Sequence, residues 1–261
     1  METILKETSS KISPREYGEP IIEVAHLKKS FGDNHVLKDF NLTIRKGENV
    51  VVIGKSGCGK SVLIKCIVGL LKYSGGSIKV FGKEINSLKH QELDELRSRI
   101  GFVFQNSALY DSMTVRENLG FSLRRHGKHK SKEEVKQLVE ETLENVGLLK
   151  AIDMMPSELS GGMRKRIGLA RSVIMKPEII LYDEPTTGLD PITAREITDL
   201  MLDMQRKYNI SSIIISHDMH CAMHTANRLT VMIDGINYSD GTFDELKNLK
   251  DPEVHAFFEN E

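Results

Sequence analysis

Residues Gly54–Ser61 read GKSGCGKS, set between ENVVVIG (Glu48–Gly54) and SVLIKCIVGLL (Ser61–Leu71). The first flank is β-branched and apolar on both faces of an extended chain, the pattern of a strand buried in a parallel sheet. The second reads as an apolar helix. The octet between them satisfies G-x-x-x-x-G-K-S in the strand–turn–helix context that a phosphate-binding loop requires. Gly54, Gly57 and Gly59 let main-chain amides approach phosphate oxygens with no Cβ in the way. Lys55, Ser56 and Cys58 supply the rest of that cradle, and the helix N-terminus adds partial positive charge. Lys60 can reach the β- and γ-phosphates, and the Ser61 hydroxyl can ligate Mg²⁺. ATP with Mg²⁺ is the ligand this loop points to.

Working outward, short apolar runs alternate with amphipathic stretches. Ile21–Leu27 and His35–Ile44 predict two strands of a meander around a Gly-Asp-Asn turn. Ser77–Gly82 and Arg99–Gln105 predict further strands, and Ser131–Val146 a helix opened by a Ser131/Glu134 capping box. Glu178–Pro185, Ser211–Ser216 and Arg228–Gly235 again read as buried strands. Pro191–Tyr208 reads as a helix capped by Asp190. This alternation implies an α/β fold: a mostly parallel, mixed sheet covered by helices, preceded by an antiparallel meander. The helix-rich stretch over 88–176 predicts a helical subdomain. Asp251–Glu261 predicts a short closing helix within a 246–261 tail.

The strand Ile179–Asp183 ends in Asp183 and Glu184. Strands of an open α/β sheet deliver such carboxylates to the edge where ligands bind. Asp183 is the candidate Mg²⁺ partner, and Glu184 the candidate general base for an attacking water. His217, His220, Cys221 and His224 fall at helical spacing that imitates a metal cluster. Asp218, however, reads as an N-cap, which puts His217 before the helix and leaves the others as bystanders.

Composition narrows the partners. The net charge of −1 over 261 residues argues against a general nucleic-acid binder, which would carry a basic excess. Cys58, Cys66 and Cys221 show no paired spacing, as expected of a reduced, cytosolic setting. No apolar run approaches the length of a membrane span. The first twenty residues, METILKETSSKISPREYGEP, have no secretion-signal core and read as a flexible extension of the domain over 21–245.

LSGGM (Leu159–Met163) followed by RKRIGLARSVIMKPEIILYDEPTTGLD (Arg164–Asp190) resembles the ABC transporter ATPases, whose signature is usually LSGGQ. The resemblance runs from about Ile21 to Asp244. It implies an ABC nucleotide-binding domain that hydrolyses ATP. It further implies that Phe31 stacks on the adenine, and that Gln105 senses Mg²⁺ and the transporter partner. Ser160, Gly161 and Gly162 would contact the γ-phosphate of ATP held by a second copy. Asp190 would sit in the D-loop and His217 in the switch. Since Ser160–Gly162 opens an apparent helix, a second copy placed head-to-tail would make an ATP-sandwich homodimer with an isologous two-fold interface. Within the family, LSGGM, NSALYDSMTVRENLGFSLRRH (Asn106–His126) and LDPIT (Leu189–Thr193) are similar to ATPases of Mce-associated lipid transporters, the Mla type. That likeness implies membrane permease subunits, a substrate-binding protein with an Mce domain, a phospholipid or related cargo and a peripheral place on the cytoplasmic face of the inner membrane. Another ABC transporter, or a soluble ABC ATPase of iron–sulfur cluster assembly, would share the nucleotide motifs.

Overall fold

The computed structural model describes residues 17–126 and 130–259. Most of the expected N-terminal extension, residues 1–16, lies outside them, and Pro20 already begins the first strand.

The chain runs β1 (Pro20–Phe31), β2 (Asn34–Arg45), β3 (Asn49–Ile53), α1 (Lys60–Ile67), β4 (Gly75–Val80), β5 (Lys83–Glu84), α2 (His90–Arg97), β6 (Ile100–Val103), α3 (Val115–His126) and α4 (Lys132–Asn145). It continues through α5 (Gly161–Val173), β7 (Ile179–Asp183), α6 (Pro191–Tyr208), β8 (Ser211–Ile215), α7 (Met219–Thr225), β9 (Arg228–Ile233), β10 (Ile236–Gly241), α8 (Phe243–Lys247) and α9 (Pro252–His255). All ten strands join one mixed sheet in the order β5-β4-β1-β2-β10-β9-β3-β8-β7-β6. The run β9-β3-β8-β7-β6 is parallel throughout. The opposite half, β5-β4-β1-β2, is an antiparallel meander.

The central strands are apolar on both faces because both faces are covered. Val51 and Ile53 of β3, with Ile180 and Tyr182 of β7, point into a core shared with α3 to α8. Val50, Val52, Ile179 and Leu181 point the other way, into a core shared with α1, α2 and the meander. Within the stretch over 88–176, α3, α4 and α5 pack on one another, while β6 is the last strand of the main sheet.

The two halves of the sheet meet at a narrow seam. β10 touches β2 through Ile236 opposite Asp39, and the Lys38 amide donates to the Gly235 carbonyl at 3.1 Å. Gly235 has φ +77°, and a Cβ there would lie 2.2 Å from the Val36 carbonyl oxygen. Only glycine permits that approach.

Several elements depart from the sequence reading. α1 stops at Ile67 rather than Leu71, because Gly69 turns left-handed at φ +69°. Arg97 then donates to the freed Val68 and Gly69 carbonyls. β4 runs over Gly75–Val80, not to Gly82, since Phe81 and Gly82 both take positive φ. Among the described residues the closing helix covers Pro252–His255, with i→i+3 turns at Phe257 and Phe258; the last two residues of the expected helix, 260–261, lie outside them. β5, β10 and α8 are not among the elements read from the sequence, although the Thr242/Glu245 capping box marks the start of α8 locally; α2 and α3 fall within the helix-rich stretch without being placed individually. The helix at α4 has the expected capping box, and α6 and α7 have the expected aspartate caps.

Candidate functional site

Four neighbouring parallel strands, β3, β8, β7 and β6, end at one edge of the sheet. Their carboxyl ends carry, in the same order, Gly54, His217, Asp183 with Glu184, and Gln105. Adjacent strands lie about 4.8 Å apart, so residues up to 163 positions apart in sequence become neighbours. A cleft of about 520 Å³ opens at this edge. Ser56, Gly57, Gly59, Lys60 and Ser61 line one side. Gln105, Glu184 and His217 line the other, with Val36 and Val62 completing the wall.

The loop geometry has local causes. Gly57 and Gly59 take φ +80° and +109°, and a Cβ on Gly54 would meet the Met232 carbonyl at 2.5 Å and Cys58 Sγ at 2.7 Å. Gly59 caps α1 without a side-chain bond, so the first amides of the helix stay available at the cleft. Lys60 is buried. Its Nζ donates to the Gly54 carbonyl at 2.6 Å and the Lys55 carbonyl at 3.2 Å, arched across its own loop. Burial pushes the Cys58 thiol up, so that side chain is a neutral packing group beneath the loop.

Ser61 Oγ donates to Asp183 Oδ1 at 2.7 Å, which joins two of the three predicted Mg²⁺ ligands directly. Glu184 has a left-handed backbone, φ +53°, and its amide donates to the Ile215 carbonyl at 3.0 Å. This turns its carboxylate into the cleft, where Oε2 accepts from Thr187 Oγ1 at 2.9 Å and pairs with His217 Nδ1 at 2.5 Å. The glutamate side chain is 14% exposed and the histidine 63%, so the pair reaches from the protein interior to solvent. The Gln105 carbonyl accepts from Lys165 Nζ at 2.5 Å.

The remaining candidates stand apart from this cleft. Phe31, at the end of β1, is 48% exposed, with the Lys29 ammonium 4.5 Å from its ring centroid. It does not line the cleft. Ser160 caps α5, accepting from the Met163 amide at 3.2 Å, and Gly161 has open space on its Cβ side. Gly162 packs beside Thr193. None of the three faces the cleft of its own chain. Asp190 caps α6 through the amides of Ile192 and Thr193 at 3.1 and 3.0 Å. The Thr193 hydroxyl and amide hold its carboxyl below the usual range. Asp190 follows Thr186–Leu189, which line a second groove together with His217 and Asp218.

The histidine-rich stretch divides as its cap predicts. His217 precedes α7, Cys221 is buried with its thiol pushed up to about 11, and His220 and His224 stack with centroids 4.4 Å apart. Among the described residues, no group of histidine, cysteine or carboxylate side chains is placed to hold a metal by itself. Sequence reasoning missed two residues that hold the site. Thr187 braces Glu184, and Lys165 joins α5 to Gln105. Thr187 lies in the quoted signature run, but nothing local shows which atom its hydroxyl meets.

Comparison with known proteins agrees with this geometry. A family profile described as ABC transporter matches residues 37–187, more than half of the chain. The chain is 36% identical over 241 residues to the intermembrane phospholipid transport system ATP-binding protein MlaF of Haemophilus influenzae, covering 92% of this chain and 91% of that one. It is 38% identical over 236 residues to the probable ribonucleotide transport ATP-binding protein mkl of Mycobacterium tuberculosis, covering 90% of this chain but only 66% of the relative's length. Relatives named for methionine import match at similar identity. A dimeric ATP-binding cassette solved in a post-hydrolysis state with ADP and phosphate superposes with a TM-score of 0.78 at 30% identity, over 85% of this chain and 98% of that one. No helix among the described residues is long and apolar enough to cross a membrane. The chain belongs to the ABC transporter family and carries that family's ATP-hydrolysing nucleotide-binding domain.

Proposed function

We propose that this chain is the ATPase subunit of a transporter that moves phospholipid or a related lipid between membranes of the cell envelope, working as a homodimer at the cytoplasmic face. The observation that carries the ATPase part is the single cleft in which Lys60, Ser61, Glu184 and His217 meet. The lipid assignment rests on the near full-length likeness to MlaF and on the LSGGM and SALYDSMTV segments.

The loop amides and Lys60 bind the phosphates, Lys60 moving its ammonium from the loop carbonyls to the more negative phosphate oxygens. Glu184 accepts a proton from the attacking water, and Thr187 and His217 fix which oxygen faces it. The Ser61 hydroxyl, the Asp183 carboxylate and the Gln105 side chain are hard oxygen donors and fit Mg²⁺, which when bound would neutralise charge on the phosphate oxygens. Ser160, Gly161 and Gly162 lie outside the lining of their own cleft and would present amides and a helix N-terminus to the ATP of a second copy. Asp190, between Leu189 and Pro191 of the second groove, belongs to the same contact. Phe31 would meet the adenine at the outer rim. A groove of about 560 Å³ lined by Phe102, Phe104, Tyr110, Phe121 and Arg171 opens beside the Gln105 segment, and a permease segment would dock there. An Mce-domain protein completes the assembly on the far side of the membrane.

The test is native purification of the Glu184→Gln chain with ATP from mild-detergent membranes, with mass spectrometry of partners and bound lipid. A permease, an Mce-domain protein and phospholipid support the proposal. A permease with a ribonucleotide- or amino-acid-binding protein replaces the cargo and keeps the transporter. Soluble assembly proteins alone overturn the transport reading.

A further inference from the structure

Lys165 is the buried cation that the hydrolytic machinery described above does not use. It sits one turn inside α5, the helix whose N-terminus carries Ser160–Gly162, and is only 8% exposed. No carboxylate pairs with it among the described residues' ion pairs. Its Nζ instead donates to two main-chain carbonyls, Gln105 at 2.5 Å and Glu184 at 3.4 Å. Those carbonyls belong to the segments leaving β6 and β7, which are neighbours in the sheet. One side chain thus ties the signature helix to the segment of Gln105 and to the backbone of the proposed general base.

The same helix face continues the attachment. Gly168, one turn on, packs so closely on Ser107 that a Cβ would lie 3.0 Å from the serine's own. Arg171, a turn further, donates to the Ser107 and Ala108 carbonyls at 2.9 and 2.7 Å. Ser107 and Ala108 both take positive φ, +60° and +45°, so the segment after Gln105 is held in a conformation that L-residues seldom adopt. Lys165, Gly168 and Arg171 lie three residues apart and form one stripe that grips 105–108. The backbone of Glu184, itself left-handed, is held by its amide on the Ile215 carbonyl and by its carbonyl, which accepts from the Thr187 amide and from Lys165.

We propose that Lys165 is a positioning residue that couples the signature helix to hydrolysis: when a second copy's ATP engages Ser160–Gly162, the lysine carries that engagement to the Gln105 segment and to the peptide that aims Glu184. This rests on the proposed roles of Glu184 and of the second copy. The buried ammonium suits the task, because no carboxylate lies within ion-pair distance of it among the described residues and the two carbonyls are its hydrogen-bond acceptors. It does not itself line the cleft, and it reaches the site only through the carbonyls of two residues that do.

Steady-state ATP hydrolysis of Lys165→Met and Lys165→Arg in the full chain tests it, with Glu184→Gln alongside. Lys165→Met keeps the apolar stem and loses the donor. We expect kcat to fall about tenfold or more with KM for ATP within about twofold, and Lys165→Arg to recover most of that loss. A fall in kcat of less than about threefold for Lys165→Met overturns the proposal. So does a loss expressed mainly in KM, or a folded Lys165→Arg that recovers nothing. If Lys165→Met fails to fold, Lys165→Ala, which also lacks the donor, is judged by the same criteria. Wild-type turnover by Glu184→Gln would defeat the general-base reading instead, so the two failures are distinguishable.

Discussion

Replacing Glu184 by glutamine separates the chemistry of the site from its architecture. The carboxylate makes two side-chain contacts, from Thr187 Oγ1 at 2.9 Å and His217 Nδ1 at 2.5 Å, both to Oε2. An amide oxygen in the place of Oε2 accepts from both, and the shape is unchanged. Each such bond contributes about 0.5–1.5 kcal/mol net, and neither is lost, so stability should change by less than about 1 kcal/mol. For a chain of this size that is a shift in Tm of at most about 4 °C. The amide cannot take a proton. Loss of a positioned general base costs about 10²–10⁴ in rate, a barrier increase of about 3–5 kcal/mol. The assay is phosphate release at saturating ATP, with ATP affinity by titration calorimetry, Tm by thermal unfolding and oligomeric state by size-exclusion chromatography with ATP. The expected result is kcat lowered at least about a hundredfold, ATP affinity retained and a dimer accumulating with ATP. Turnover within about threefold of the wild type would refute the assignment of Glu184 as base. A lost rate with lost affinity and a large fall in Tm would show that the carboxylate holds the site together rather than performing proton transfer.

Other expectations follow from the same contacts. Lys60→Ala removes the ammonium that spans the phosphate loop, so ATP affinity should fall about a hundredfold or more in calorimetry, the weight of a charge-assisted phosphate contact of about 3 kcal/mol. Gly235→Ala forces a Cβ to within 2.2 Å of the Val36 carbonyl at φ +77°, at a cost of at least about 1–3 kcal/mol, visible as a fall of several degrees in Tm. Glu84 supplies a pH test: burial raises its carboxyl, but the Ser77 and Tyr73 hydroxyls and the Ile78 amide outweigh that and hold it below its ordinary 4.5. A folded value below the unfolded one stabilises above the unfolded value and is lost as pH falls through the folded one. The stability advantage of the wild type over Glu84→Gln, measured by urea unfolding, should therefore be full at neutral pH and close as pH falls below the ordinary 4.5 and through the lower folded value.

What could be read in advance was whatever is decided within a few residues. Eight consecutive residues hold the three glycines, Lys60 and Ser61, so the phosphate loop was legible whole. The caps at Ser131, Asp190 and Asp218 were legible for the same reason, each being a side chain bonding amides two or three positions ahead. The buried strands announced themselves because a strand covered on both faces is apolar at every position. The ends of elements were less legible: α1 stops where Gly69 turns and where Arg97, distant in sequence, takes the last carbonyls.

The tertiary structure alone decided which distant pieces meet. β10, a short half-exposed strand without apolar periodicity, is inserted between β2 and β9, and its place depends on Gly235 passing the Val36 carbonyl. That Glu184 meets His217 and that Lys165 buries its ammonium on two carbonyls are contacts brought together by strand order. No local pattern encodes them, since the partners are up to 60 residues apart for Lys165 and 33 for His217. The sequence by itself determined the chemistry each residue can perform. The order of parallel strands determined that those residues share one cleft, because only adjacent carboxyl ends lie close enough to act on the same phosphate.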